Sequence, residues 1–293
     1  MTATQRKLPK ADLPKDKGPR SNVLHWDELP EWLRRDPYIR LGYRRQLDTL
    51  TACFWSLFYL HNEFVNIWSH LLPALFYVGM AIASQFDIFE DSLDDRLFDK
   101  LILVIYLVGT AGCLFFSAIY HGLSSHSQDV AHHALKLDYL GIVLSITVNS
   151  ISATYFGMYN SPYFQTFYIA ISICCASGVF LNLLGPNADG PSASNRRVRL
   201  LSALFVTAFV PILHKWLLDG SDGLKGFPLY NLAIMTLCYF VGTLFYVSHF
   251  PECYMRETFD IWGASHQIWH VAIATGHIVY WYGLLDVMEK VHV

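Results

Sequence analysis

"LILVIYLVGTAGCLFFSAIYHG", residues 101–122, decides the fold. It contains no Asp, Glu, Lys or Arg and exceeds the roughly 20 apolar residues a helix needs to cross a bilayer. Its last turns break the pattern. Ser117 and His121 stand one helical turn apart, where a lipid-facing helix would carry leucine. Polar groups at that depth are costly unless they meet partners, so they mark a candidate site.

Working outward, six further stretches have membrane length: 64–86, 136–158, 164–184, 199–218, 229–249 and 265–287. The chain of 293 residues is 53% hydrophobic and only 15% charged, against about 25% charged in soluble proteins. The prediction is an all-α integral membrane protein, a seven-transmembrane helix bundle. No fixed-period repeat signals a solenoid or an inverted-repeat transporter. The 6 cysteines lie mostly in or beside spans without CxxC spacing and read as small packing residues. No nucleic-acid partner is expected.

Charge sets the expected orientation. Of 21 Lys and Arg, 11 precede the first span, and alternate assignment of the rest puts 16 on the N-terminal side and 5 on the other. The positive-inside rule then predicts a cytosolic N-terminus and a C-terminus outside. The first outer loop, "DIFEDSLDDRLFDK", is acidic, as that orientation requires. This is the reverse of a G-protein-coupled receptor, and the seventh span has neither a retinal-type lysine nor NPxxY. With no signal peptide in view, the first span is expected to direct insertion. Residues 1–23 read as a disordered cytosolic arm. Residues 24–60 read as a membrane-surface amphipathic segment, since "LHWDELPEWLRRDPYIRLGYRRQL" interleaves Trp26, Trp32, Leu33, Ile39 and Tyr43 with arginines and predicts short helices on the headgroups. Residues 61–293 form the seven-helix domain.

This topology assigns depths to the buried polar residues. Ser117 and His121 fall in the last cytosolic turns of span two, and Asp138 in the first turn of span three. His266 and His270 share a face at i, i+4 at the start of span seven. All five reach one leaflet. Three neutral imidazoles make a ligand set that leaves a fourth zinc position open, as in catalytic sites. Asp138 is then placed to orient or deprotonate a water, and Ser117 to hydrogen-bond to that water or to a substrate carbonyl. Glu63, Asn66 and His70 share a face of span one and are expected to tie it to its neighbours near the site. Trp68 and Pro73 read as packing and kink residues. His126, His132 and His133 are expected as hydrogen-bonded interfacial residues of the second loop.

The phrases "LPEWLRRDPYIRLGYR", "EFVNIWSHLLPAL", "SAIYHGLSSHS", "KLDYLGIVLSI" and "PECYMRETFDIWGASHQIWHV" resemble the progestin and adipoQ receptor family, which includes adiponectin receptors, fungal relatives and hemolysin-III-like proteins. The resemblance spans residues 25 to 287. It implies a seven-helix protein with an inward N-terminus and Zn²⁺ held by His121, His266 and His270. It also implies that Asp138 is hydrogen-bonded to the water on the metal, with Ser117 as the serine of S-x-x-x-H. In function it implies lipid-linked signalling: ceramide hydrolysis for the adiponectin receptors, zinc and sterol or lipid metabolism for the fungal branch. Short loops and a short C-terminal tail leave little outer surface for a protein hormone, which favours the fungal-type, lipid-acting reading. Three functions compete: a zinc-dependent hydrolase of a ceramide-like amide, a lipid- or hormone-sensing receptor with structural zinc, and, last, a zinc transporter. The transporter lacks a relay toward the outer side, where His214 stands alone in span five. Either a plasma-membrane or an internal-membrane location suits all three.

Overall fold

The computed structural model describes residues 22–90, 96–185 and 193–291. The expected N-terminal arm therefore lies almost wholly outside the described residues, as do residues 91–95 of the acidic loop. A short helix, α1 (Leu50–Ser56), precedes α2 (Phe64–Glu90), α3 (Leu97–Leu123), α4 (Gln128–Gly157), α5 (Pro162–Leu184), α6 (Ala193–Thr207), α7 (Val210–Asp219), α8 (Leu229–Ser248) and α9 (Ser265–Lys290). Together α2 to α9 supply 7 segments long and apolar enough to cross a membrane, with α6 and α7 sharing the fifth.

The fifth span was expected to be continuous, and its break has a local cause. Pro211, in the first turn of α7, lacks an N–H and its ring collides with the carbonyl four residues earlier. The chain answers by tightening: Ala208 N–H donates to Phe205 O at 3.2 Å and Phe209 N–H to Val206 O at 3.1 Å, both i−3 bonds.

The third span starts earlier than its hydropathy suggested. Ser127 caps α4, its Oγ accepting the Val130 N–H at 3.3 Å, and Asp129 complements the helix dipole in the first turn. His132 and His133 are therefore helical and not in a loop. Asp138 sits in the third turn and not the first.

α3 packs between α2 and α4, while α9 packs against α8 and α2 and reaches α3 and α4. Glycines let α3 and α4 approach closely. A Cβ on Gly109 would lie 2.4 Å from Val148 Cγ1, and one on Gly141 would lie 3.0 Å from the Cys113 carbonyl. Between the helices Tyr77, Tyr106, Leu114, Phe156, Tyr280 and Leu284 are fully buried. Leu72, Phe76, Val108, Leu181, Phe240 and Val247 are exposed on the outside. An apolar exterior around helices whose backbone bonds are satisfied internally is how a chain resides in a bilayer.

The segment before the spans differs from its expected form. Pro30 and Pro37 keep residues 24–47 from forming helices of any length, and two three-residue 3-10 turns, Trp26–Glu28 and Glu31–Leu33, appear instead. Strands β1 (Val23–Leu24) and β2 (Tyr43–Arg44) pair antiparallel. Leu29, Leu33, Ile39 and Tyr43 bury against one another and against Ala264, just before α9, with Trp26 and Trp32 packed on them. The outward apolar surface here belongs to α1, where Leu50, Phe54 and Trp55 are exposed.

Candidate metal centre

His121 lies in the last turn of α3, where four backbone carbonyls lack intrahelical partners. Arg44 meets that need. Its fully buried guanidinium donates to the carbonyls of His121 and Gly122 and to the hydroxyls of Ser56 and Ser124, the last three at 2.8 to 3.0 Å. Burial lowers the Arg44 pKa from its ordinary value, and nearby Glu63 opposes that shift.

His266 and His270 occupy the opening turns of α9. That helix start is held from both sides. Gln267 Oε1 accepts the Gly263 N–H at 2.6 Å, and buried Glu252 accepts both the N–H and the hydroxyl of Ser265. A carboxylate at a helix N-terminus satisfies free donors and complements the dipole.

The donor nitrogens of His121, His266 and His270 all fall within 4.8 Å of one another. His266 Nε2 lies 3.2 Å from His121 Nε2 and 3.1 Å from His270 Nε2. Zinc bonds of about 2.0–2.1 Å at a tetrahedral angle give nitrogen separations of about 3.3 Å, so the spacing fits. The tautomers fit as well. His121 Nδ1 donates to Glu63 Oε2 at 2.8 Å, and His270 Nδ1 donates to the Asn66 carbonyl at 3.0 Å. Each fixed Nδ1–H leaves the Nε2 lone pair of a neutral ring aimed at the common point. Two such lone pairs meet at His266, whose single Nε2 proton can satisfy only one of them. A cation at the centre satisfies all three.

The other expected residues surround this triad. Asn66 Nδ2 donates to Glu63 Oε2 at 2.7 Å, so α2 braces both α3 and α9. His70 stacks on His270 with centroids 3.7 Å apart, and its Nε2 is taken by the His270 carbonyl. Trp68 Nε1 donates to the Leu57 carbonyl at 2.9 Å, tying α2 to the chain after α1. Asp138 lies near buried Ser117 and within electrostatic range of His121. It is not among the groups whose donor atoms converge within 4.8 Å. His214 is partnered by the Tyr168 hydroxyl at 3.0 Å, far along the chain from the triad.

Three structural residues escaped the sequence reading. Arg44 looked like one of many surface arginines. Glu252 sat in a loop with no periodic signal. His277, completely buried, is two helical turns beyond His270 on the same face; its Nε2 meets Ser145 Oγ at 3.1 Å and the Tyr239 hydroxyl at 3.2 Å. The i+7 spacing from His270 was the available signal.

Comparison with known proteins agrees with this architecture. The haemolysin-III-related family model matches residues 58–281. The adiponectin receptor protein of Drosophila melanogaster is 30% identical over 266 residues, which are 90% of this chain and 59% of the fly protein. The ADIPOR-like receptor IZH2 of Saccharomyces cerevisiae is 31% identical over 288 residues, 97% of this chain and 89% of the yeast protein. Progestin and adipoQ receptor family member 3 of Homo sapiens is 30% identical over 261 residues, 88% of this chain and 82% of the human protein. The chain belongs to the haemolysin-III-related, progestin and adipoQ receptor family of seven-helix integral membrane proteins.

Proposed function

We propose that His121, His266 and His270 hold Zn²⁺ and that the chain hydrolyses a ceramide-like lipid amide beside it. The convergence of three Nε2 atoms, two with tautomers fixed by Glu63 and Asn66, carries this reading. Bound zinc supplies Lewis acidity, polarising a carbonyl and lowering the pKa of water. Asp138 takes a proton from the water whose oxygen bonds to the amide carbon, and returns it to the nitrogen as the C–N bond breaks. Buried Ser117, beside Asp138, is placed to steady that carboxylate. Lipid is the substrate class that suits a site enclosed by membrane-spanning helices, and the family resemblance favours ceramide among lipids.

A second reading is a lipid- or hormone-sensing receptor, as several relatives are named. One observation favours it: the triad joins α3 to α9, which otherwise touch little, so a metal there acts as a clamp between helices.

The test is purified protein in detergent, assayed for zinc content and for fatty acid released from several ceramides. Asp138→Asn is expected to keep zinc while hydrolysis falls about 10²- to 10⁴-fold. His270→Ala is expected to lose both. Zinc-loaded parent protein that releases no fatty acid, with Asp138→Asn still abolishing cellular signalling, overturns the hydrolase in favour of the receptor.

A further inference from the structure

His121 and His266 of the triad line a cleft of about 220 Å³ together with residues of the N-terminal segment. At its mouth a second set of potential ligands gathers. Asp36, His249 and Glu252 each present one donor atom within 4.8 Å of the others. They come from distant parts of the chain: the turn after the second 3-10 segment, the residue that ends α8, and the loop leading to α9. None of them belongs to the triad.

Two observations separate this group from a chance gathering of charges. First, His249 Nδ1 is buried and makes no hydrogen bond, although it faces Asp36 Oδ2 at 3.4 Å. An imidazole nitrogen that makes no hydrogen bond, beside two carboxylates, is a donor waiting for an acceptor of its lone pair. Second, Asp260 lines the same cleft with 2% of its surface exposed, and its Oδ1 also lacks a hydrogen-bond partner. Its Oδ2 is committed to the backbone N–H groups of Arg40 and Leu41, at 3.0 and 2.6 Å, which fixes the carboxylate in place. Glu63 also lines the cleft. Four carboxylates against the single guanidinium of Arg35 make the lining a cation-attracting one.

We propose that Asp36, His249 and Glu252 form a second divalent-cation site, of the zinc class, at the mouth of the cleft. One imidazole and two carboxylates match the nitrogen and oxygen donors that zinc accepts, with a position left for water. Its exposure differs from that of the triad. The His249 and Asp36 side chains are 40% and 31% exposed, so the cation exchanges with solvent, whereas His121 and His270 are buried. Glu252 links the two places physically, because it also holds Ser265, the residue before His266. The inference does not rest on what the triad catalyses or on whether the triad holds metal.

The experiment counts zinc equivalents on the purified full chain by titration and metal analysis. Two variants address the mouth. His249→Asn removes the imidazole while keeping a residue that tolerates the left-handed backbone found there, φ 50°. Asp36→Asn keeps the Oδ1 that accepts the Tyr38 N–H at 2.8 Å. The parent is expected to bind two equivalents, the tighter one exchanging slowly. Each mouth variant is expected to bind one, losing the fast-exchanging ion, and His270→Ala is expected to keep that ion. Mouth variants that both retain the parent's count and exchange rates overturn the second site. If His270→Ala keeps the parent's count while His249→Asn drops one equivalent, the triad reading fails and the mouth site stands.

Discussion

Removing Glu63 tests whether the residue that leads into α2 sets the ligand geometry. Its Oε2 receives two hydrogen bonds, from His121 Nδ1 at 2.8 Å and Asn66 Nδ2 at 2.7 Å. The pair is well shielded, with side chains 17% and 4% exposed for Glu63 and His121, so solvent screening does little to weaken it. Glu63→Ala leaves His121 free to rotate and to change tautomer, and each misplaced state withholds its Nε2 lone pair. Losing an orienting carboxylate behind a histidine ligand costs about 10- to 100-fold in metal affinity, which is about 1.4 to 2.7 kcal/mol. Glu63→Gln keeps an oxygen acceptor without the charge and is expected near the lower bound. The assay is competition for zinc with a chromogenic chelator in detergent, in a His249→Asn background so that the triad alone is titrated. Stoichiometry should hold at one while Kd weakens. A Glu63→Ala protein that binds zinc within threefold of its parent refutes the orienting role.

Other outcomes follow from the same structure. In intact cells with the protein at the surface, an N-terminal tag should resist protease and a C-terminal tag should be cut, given the 16 to 5 division of basic residues; two protected ends refute that topology. Gly109→Ala drives a Cβ to 2.4 Å from Val148 Cγ1 and should destabilise the α3–α4 contact by about 1–3 kcal/mol, with Val148→Ala restoring most of it; a Gly109→Ala thermal midpoint equal to the parent's refutes the close approach. His61, just outside the first span, donates from Nε2 to the Ser56 carbonyl at 3.1 Å and accepts the Glu63 N–H on Nδ1 at 3.0 Å. Burial, then Arg44, hold its pKa down to about 3. The unfolded chain therefore takes up this proton first: the stabilisation is complete above about pH 6.5 and is lost as pH falls toward 3, with about 1.4 kcal/mol gone by pH 5.5. His61→Gln should flatten the melting-point difference between pH 7.5 and 5.5, and an unchanged difference counts against it.

The spans were legible because a bilayer demands long apolar runs, and Ser117, His121, His266 and His270 drew attention because polar residues stand out within such runs. The break before Pro211 was less visible, since α6 and α7 remain apolar across it and hydropathy ignores a missing N–H. The early start of α4 was hidden for the opposite reason: "QDVAHHALK" is polar enough to read as a loop, yet Ser127 caps it into a helix. The turns of residues 24–47 were missed because interleaved aromatics and arginines give the same pattern whether they lie on lipid or fold onto one another. Pairings over long sequence distance, such as Arg44 with the end of α3, leave no periodic trace at all.

The triad's ligands come from two helices only, and those helices meet sparingly. Their alignment must therefore be supplied by what surrounds them. Glu63, just before α2, reaches His121, and α2 reaches His270 through the Asn66 carbonyl and the His70 ring. The N-terminal segment locks the end of α3 through Arg44, and Leu47 N–H donates to the Ser125 carbonyl at 2.8 Å. The same segment locks the approach to α9 through Asp260, which holds Arg40 and Leu41. Each clasp lies within the protein. On the proposed zinc reading the consequence is a preorganised site, with much of the entropy of positioning three imidazoles spent during folding. On that reading, affinity at the triad depends on α2 and the N-terminal segment as well as on the histidines themselves.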